Sequence, residues 1–225
     1  MSQPRNALII GASRGIGLGL SKRLQQQGWA VSATRRGLAG AEESPEIKWV
    51  TLDINNTQQS ITFGQMLPPE QFDVIVVNAG VYGPEHQSVN TATVDELLSL
   101  FMTNTFSPIR IAEATLHALK ANTGILAFTS SKLASLNENP QADMPLYSAS
   151  KSALNMLTRA LLPGMESRGQ TLLSLHPGWV QTDLGGTSAP LTVADSVQGL
   201  VKVLESYKGK GGHHFVDYNM QGLSW

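Results

Sequence analysis

Short apolar runs alternate along this chain with longer stretches whose apolar residues recur every three or four positions. The runs are Ala7–Ile10, Ala30–Ala33, Ile47–Leu52, Asp73–Val77, Ile125–Thr129 and Leu172–Leu175, with Phe215 and Val216 as a last short one. Asp73–Val77 is β-branched and continuous, the pattern of a central parallel strand covered on both faces, and Ile125–Thr129 and Leu172–Leu175 repeat it. Gly15–Gln27 has helical spacing at Ile16, Leu20 and Leu24 and stops at Gly28. Thr93-Val94-Asp95-Glu96 reads as a capping box opening a long helix, and Thr192-Val193-Ala194-Asp195 as a weaker one. Pro145–Arg168 carries apolar positions at Leu154, Leu157 and Leu161. Strands alternating with helices predict an α/β fold, a doubly wound parallel sheet with helices on both faces. There is no internal repeat, low-complexity tract or linker, so one domain is expected over residues 1–225. Gly37–Pro45, Lys132–Met144 and Asp183–Pro190, rich in Gly, Ser, Asn and Pro, are the expected flexible pieces.

Composition narrows the function classes. Of 225 residues, 41% are hydrophobic and 15% charged, which excludes disorder. The net charge is −1, which argues against a nucleic-acid partner. Cysteine is absent, so there is no disulfide, thiolate nucleophile or thiolate metal site. His213 and His214 are adjacent and in a strand would point to opposite faces, and no metal is expected. Neither a secretory apolar region nor a membrane span is visible, so a cytoplasmic protein away from membranes is expected.

Gly11-Ala12-Ser13-Arg14-Gly15-Ile16-Gly17 lies between the first strand and the first helix. Glycines there let the backbone turn sharply and approach a pyrophosphate, whose charge the helix N-terminus stabilises; this is the physics of the Rossmann turn. The second run ends Thr34-Arg35-Arg36, with none of the acid that would bind a ribose 2′-hydroxyl. Arg35, with Arg14 as a second cation, can pair with a 2′-phosphate, which favours NADP(H) over NAD(H). Asp53, before Ile54, ends the third run; it can accept from an adenine amino group or simply serve as a turn or cap residue.

Tyr147-Ser148-Ala149-Ser150-Lys151 places a phenol and an ammonium on one helix face. A nearby cation favours the phenolate, which suits proton exchange with a carbonyl oxygen or an alcohol; by itself this spacing also fits an ordinary half-buried Tyr and a surface Lys. Ser130-Ser131 and Asn78-Ala79-Gly80 follow apolar runs, at strand carboxyl ends, where α/β sheets put their sites. Asn104 precedes Pro108 by four residues, so its carbonyl loses its helical donor. The flaw would either anchor a water or be a plain kink. Tyr82, Met144 and Trp179 are candidate pocket walls, and His86 a surface histidine in the loop after Gly80.

Taken together, Gly11-x3-Gly15-x-Gly17, Asp53, Asn78-Ala79-Gly80, Asn104, Ser131, Tyr147-x3-Lys151 and Pro177-Gly178-x3-Thr182 resemble, in order and over the whole chain, the short-chain dehydrogenase/reductases. Within that family His176–Asp183 and the tail from Phe215 to Trp225 resemble the C-factor-like and sniffer-like carbonyl reductases most. The resemblance implies an NADPH-dependent reductase of a small aldehyde, ketone or quinone. Tyr147 would be the general acid/base, Lys151 would hold the nicotinamide ribose, Ser131 would orient the substrate carbonyl and Asn104 would anchor a relay water. Ser13, Ile16, Asn78, Ala79, Gly80, Pro177, Gly178 and Val180 would line the cofactor, and Thr182 would hold its carboxamide. Leu97, Phe101, Leu154, Leu157 and Leu161 form apolar stripes on two helices; the resemblance implies a homodimer or homotetramer paired through those helices, while core packing on the sheet explains much of the same pattern. The spacing from Ser131 to Tyr147 is 16 residues, longer than in many members, which leaves Ser135 as a rival. The short Asp183–Pro190 segment implies an open substrate site with little helical lid. The alternative class is an NADP(H)-binding sensor or signalling protein with incidental turnover.

Overall fold

The computed structural model describes residues 5–37 and 44–225. Its centre is a seven-stranded parallel sheet: β1 (Asn6–Ile10), β2 (Ala30–Arg35), β3 (Lys48–Thr51), β4 (Val74–Val77), β5 (Ile125–Thr129), β6 (Thr171–His176) and β7 (His213–Asp217), in the order β3-β2-β1-β4-β5-β6-β7. The order reverses at β1, which pairs with β2 on one side and β4 on the other. That reversal is the switch point at which open α/β sheets leave a crevice. The fold is therefore the doubly wound Rossmann sheet that the alternation predicts.

Strand residues alternate between two cores. Ala7 and Ile9 face the layer of α1 (Gly15–Gln26) and α7 (Val193–Tyr207), where Leu20, Leu24, Val197 and Leu200 pack. Leu8 and Ile10 face Phe63 of α2 (Thr57–Gln65), Ile111 of α4 (Ser107–Thr115) and Leu154 of α5 (Pro145–Arg159). Both faces are covered, which is why the runs read as continuous. His213 and His214 do turn to opposite sides, His213 onto the Trp225 ring (4.5 Å between centroids) and His214 onto the Tyr207 ring (4.9 Å).

Both predicted N-caps form. The Thr93 hydroxyl accepts from Glu96 N and the Glu96 carboxylate accepts from Thr93 N, opening α3 (Val94–Phe101). Thr192 caps α7. The helix that follows Thr93 does not run straight. After α3 the chain widens into a π-helical turn, Met102–Phe106, in which Ser107 N donates to Met102 O, and α4 resumes with Pro108 near its start. Proline removes the donor the Asn104 carbonyl would use, and the ladder adapts by one extra residue per turn. The predicted Pro145–Arg168 helix ends at Arg159, and a short α6 (Leu162–Glu166) carries Pro163 in its first turn. The pattern gives no hint of α2, whose sequence TQQSITFGQ buries only Ser60, Phe63 and Gly64. Of the expected flexible segment Gly37–Pro45, residues 38–43 lie outside the described residues. Lys132–Met144 is knit together by Asn139, whose side chain bonds both the amide and the carbonyl of Asp143. No helix among the described residues is long and apolar enough to cross a membrane.

Gly64 allows α2 to lie against α4. A Cβ there would fall inside contact distance of the Ala114 carbonyl oxygen. At an open helical site Gly→Ala stabilises by up to about 1 kcal/mol. Here Gly64→Ala is expected to reverse the sign and cost about 1–3 kcal/mol through overpacking. Urea unfolding of the two proteins checks it.

Candidate active site

The carboxyl ends of β1, β2, β4, β5 and β6 border a crevice of about 1400 Å³. The glycine turn forms its floor. Gly11 has φ +84°, and a Cβ on it would stand 2.6 Å from Ala79 N, so only glycine lets the turn after β1 rest on the end of β4. Helix α1 starts at Gly15 with Arg14 as N-cap, no side chain capping its amides and no acid in its first turn. Its N-terminal N–H groups are thus left for an anion, and the macrodipole favours one there. Arg14, Arg35 and Arg36 border the same end of the crevice. Arg14 donates to Asp183 at 2.7 Å, both side chains being largely exposed, and the Arg35 guanidinium lies 5.6 Å over the Trp49 ring. Bare amides, a close-approach glycine and three guanidinium groups fit a phosphorylated dinucleotide.

The other end holds the phenol and the ammonium. Both project from α5 into the crevice and both are buried. Lys151 Nζ donates to the Thr129 carbonyl at 2.8 Å and stands 5.8 Å from the Tyr147 ring centroid. Burial draws Lys151 down to about 8, still mostly protonated at neutral pH. Burial pushes the Tyr147 phenol above its ordinary range, opposite to the lowering expected from Lys151, so the proton stays on at neutral pH. The Thr129 hydroxyl donates to Asn78 Oδ1 at 2.9 Å, and Asn78 Nδ2 donates to Gly11 O at 2.9 Å. One chain of bonds therefore runs from the glycine turn to Lys151.

Both neighbouring serines border the crevice, and their hydroxyls differ in what they bond. Ser131 borders the crevice, and its oxygen accepts from Leu133 N at 3.2 Å, which leaves its proton for another acceptor. The Ser130 hydroxyl donates instead to Asn155 at 2.8 Å. Ser135 caps the amides of Asn137 and Glu138 and does not border the crevice.

The short chain dehydrogenase family model matches residues 5–190. The chain belongs to the short-chain dehydrogenase family. It is an oxidoreductase of that family. Among curated proteins it is 32% identical over 154 residues to the C-signal of Myxococcus xanthus, covering 68% of this chain and 92% of that one. Among solved structures it is similar to a carbonyl reductase from Pseudomonas aeruginosa in complex with NADP (41% identity, TM-score 0.87, 99% of this chain and 100% of that one). It is also similar to the carbonyl reductase Sniffer of D. melanogaster (31% identity, TM-score 0.87, with 99% and 100% covered).

Within this family frame the structure brings nearly all the expected residues to one crevice. Ser13, Gly15, Ile16, Asp53, Ile54, Ala79, Gly80, Pro177, Gly178, Val180 and Thr182 all border it. Gly17 does not. It sits behind the turn, where a Cβ would collide with Gly11 O and stand 2.7 Å from Asn78 Nδ2, so its part is packing. Nor does Asn104, which is fully buried. Its Oδ1 accepts from Val81 N at 2.8 Å, and its Nδ2 donates to Val81 O at 2.8 Å and to the Ser150 hydroxyl at 3.0 Å. The side chain braces the loop after Gly80 against α5. Asp53 serves as a turn residue, its carboxylate accepting from Asn55 N at 2.9 Å, while also facing the crevice. Tyr82, Met144 and Trp179 are wall residues as expected, and His86 lies outside, half-exposed, with Nδ1 accepting from Ser88 N. No regular helix forms between β6 and α7, in keeping with the expected lack of a helical lid. Sequence reasoning missed Tyr218, Asn219, Gln221 and Leu223, which fold back over the substrate end through Asp217 N→Gln221 O and Leu223 N→Phe215 O. Their position just past a strand's carboxyl end was the available signal.

Proposed function

We propose that one domain spanning residues 1–225 reduces the carbonyl of a small aldehyde, ketone or quinone with NADPH. The observation that carries the reading is the buried Tyr147–Lys151 pair, bonded through Thr129 and Asn78 to a glycine turn beside three arginines. Arg35 and Arg14 would hold the 2′-phosphate, Arg14 exchanging Asp183 for it. The amides of α1 would take the pyrophosphate. Asp53 and Ile54 would border the adenosine, and Val180 and Thr182 the nicotinamide. Bound NADPH supplies a hydride to the carbonyl carbon. Tyr147, kept protonated by burial, gives its proton to the carbonyl oxygen as that oxygen becomes an alcohol. Ser131 donates a hydrogen bond to the same oxygen and orients it. The Lys151 ammonium then opposes the phenolate left behind. Asn104 acts by fixing the loop that carries Gly80 and Val81. A pure sensor would have no use for a buried phenol and ammonium, whose desolvation costs stability. The cytoplasm is the compartment that suits a cysteine-free NADPH enzyme.

The assembly proposed is a homodimer or homotetramer. Leu154 and Leu161, expected on the pairing helices, are buried in the core instead. The exposed apolar residues on these neighbouring elements are Val94 and Leu98 on α3, Phe106 in the π turn and Met156 on α5, at 79%, 57%, 45% and 68%, a face that pairing would cover. Light scattering is expected to give a multiple of the chain mass, and Leu98→Asp to give a monomer.

Fluorescence titration with the two reduced cofactors tests the arginine reading. NADPH is expected to bind at least about tenfold more tightly than NADH, a difference of about 1.4 kcal/mol. Equal affinities would overturn the 2′-phosphate assignment. Tyr147→Phe tests the chemistry. Its turnover on a panel of aldehydes, ketones and quinones is expected to fall by at least roughly 100-fold, the usual contribution of a general acid, with NADPH affinity nearly unchanged. Normal turnover would remove Tyr147 from the mechanism.

A further inference from the structure

Helix α5 carries the acid, yet it opens without a local cap. Its N-cap residue, Met144, is left-handed (φ 50°, ψ 59°) and contributes no side-chain hydrogen bond, and Pro145 has no N–H. The first bond within the helix runs from Ser148 N to Met144 O. The amides of Leu146 and Tyr147 are therefore orphans of the first turn. One of them is the amide of the residue that carries the phenol.

That amide is met from a distant part of the chain. Gln87 Oε1 accepts from Tyr147 N at 2.9 Å. Gln87 Nε2 donates to Pro84 O at 2.8 Å and to Tyr82 O at 3.3 Å. The carboxamide thus spends its oxygen on α5 and both its hydrogens on the loop after Gly80. Its orientation is forced, because a flipped amide would set N–H against N–H and oxygen against two carbonyls. Gln87 is 9% exposed and Tyr147 8%, so these bonds are sheltered from water. Gln87 also holds φ +50°, an unfavourable conformation for a residue with a side chain, kept by the surrounding bonds. Through Tyr82 the same side chain reaches the substrate wall, whose ring lies along that of Tyr147 at 6.3 Å and 24°.

We infer that Gln87 is a positioning residue for the reduction: its carboxamide sets Tyr147 and the Tyr82 wall in register, so that the proton donor meets the substrate carbonyl. The inference rests on the reading of Tyr147 as the acid. It differs from a purely structural role in what it predicts for the chemical step. Misplacing a catalytic group by a fraction of a helical turn costs turnover, while the cofactor end of the crevice lies on other strands.

A matched control exists in the same molecule. Gln170, fully buried just before β6, uses its Nε2 in the same way on the carbonyls of Leu119 and Lys120, at the end of the sheet away from the crevice. Gln87→Leu and Gln170→Leu each remove two Nε2–carbonyl bonds, and Gln87→Leu alone also removes the bond to a helix amide. Both are expected to lower the melting temperature. Only Gln87→Leu is expected to cut kcat, by roughly 10- to 100-fold, with NADPH affinity within about twofold of wild type. A kcat unchanged in Gln87→Leu, or reduced equally in both variants, overturns the inference. Gln87→Glu keeps the readout should Gln87→Leu not fold. At neutral pH its carboxylate would face two carbonyls; protonated, it donates to one and still accepts from Tyr147 N. Burial raises its pKa, so its kcat relative to wild type is expected to recover as pH falls from about 8 to about 5. A Gln87→Glu profile that parallels wild type overturns the inference as well. Tyr147→Phe is measured alongside. If it is active, the acid reading fails and the Gln87 role with it. If it is inactive while Gln87→Leu is unimpaired, the Gln87 role alone fails.

Discussion

A single carboxamide, that of Asn78, holds three strand ends in register. Its Nδ2 takes the carbonyl of Gly11 after β1 and its Oδ1 takes the hydroxyl of Thr129 at the end of β5, while its own backbone continues β4. The Thr129 carbonyl in turn fixes Lys151. The arrangement works only because Gly11 has no side chain, since any Cβ would overlap Ala79. The glycine turn and helix α5 are thus not independent insertions on a sheet. They share one hydrogen-bonded seam across the switch point, and a displacement at either end is felt at the other.

Burial gives the seam its chemistry and sets it against stability. A lysine drawn down to about 8, against 10.5 in an exposed setting, is held charged at neutral pH at a cost. The unfolded chain binds its proton more readily, so this group contributes stability only as pH rises from about 8 toward 10.5, and that contribution is lost as pH falls back through about 8. Tyr147 is pushed the other way and keeps its proton through the neutral range. The pair therefore rests as phenol and ammonium. An anion beside Lys151 would relieve the penalty the ammonium carries, whereas the same burial opposes ionisation of the phenol.

Much of this was legible in the chain. Continuous apolar runs marked β1, β4 and β5, because both faces of the sheet are covered there, whereas edge strand β3 is at best half-buried and its run is broken by Lys48 and Thr51. The capping box at Thr93 and the simpler cap at Thr192 were legible because their chemistry is local, three residues apart. The glycine turn and the Tyr147–Lys151 spacing were visible for the same reason. What escaped was what depends on tertiary contact. Helix α2 buries almost nothing large and so has no periodic signal. Asn104 read as a helix flaw, and the flaw exists as a π turn, but the destination of its side chain, Val81 and Ser150, lies across the fold. Gln87 caps a helix opening 57 residues downstream of it, between Met144 and Pro145, and no local pattern announces that. The rise in the Tyr147 pKa follows from burial, which the Tyr-x3-Lys spacing alone does not specify.

The end of the crevice at Tyr147 is built differently from the end at the glycine turn. Its walls come from the segments after β4, β5, β6 and β7; the last two close largely on themselves, whereas the segment after β5 is tied to α5, where Ser148 bonds Asn139 and Asp143 and Ser152 bonds Ala134. Ser224 N donates to Glu138, Trp179 Nε1 donates to Gly185 O, and Leu223 N donates to Phe215 O. None of these bonds involves Asn78, Thr129 or Lys151. Side chains on the walls after β6 and β7 can therefore change without loosening the seam that holds Lys151. Gln87 joins another wall residue, Tyr82, to α5. Changes at Trp179 or Leu223 touch none of the bonds to α5, whereas a change at Tyr82 acts beside the side chain that holds the Tyr147 amide. The walls that can vary freely are those whose hydrogen bonds close among themselves.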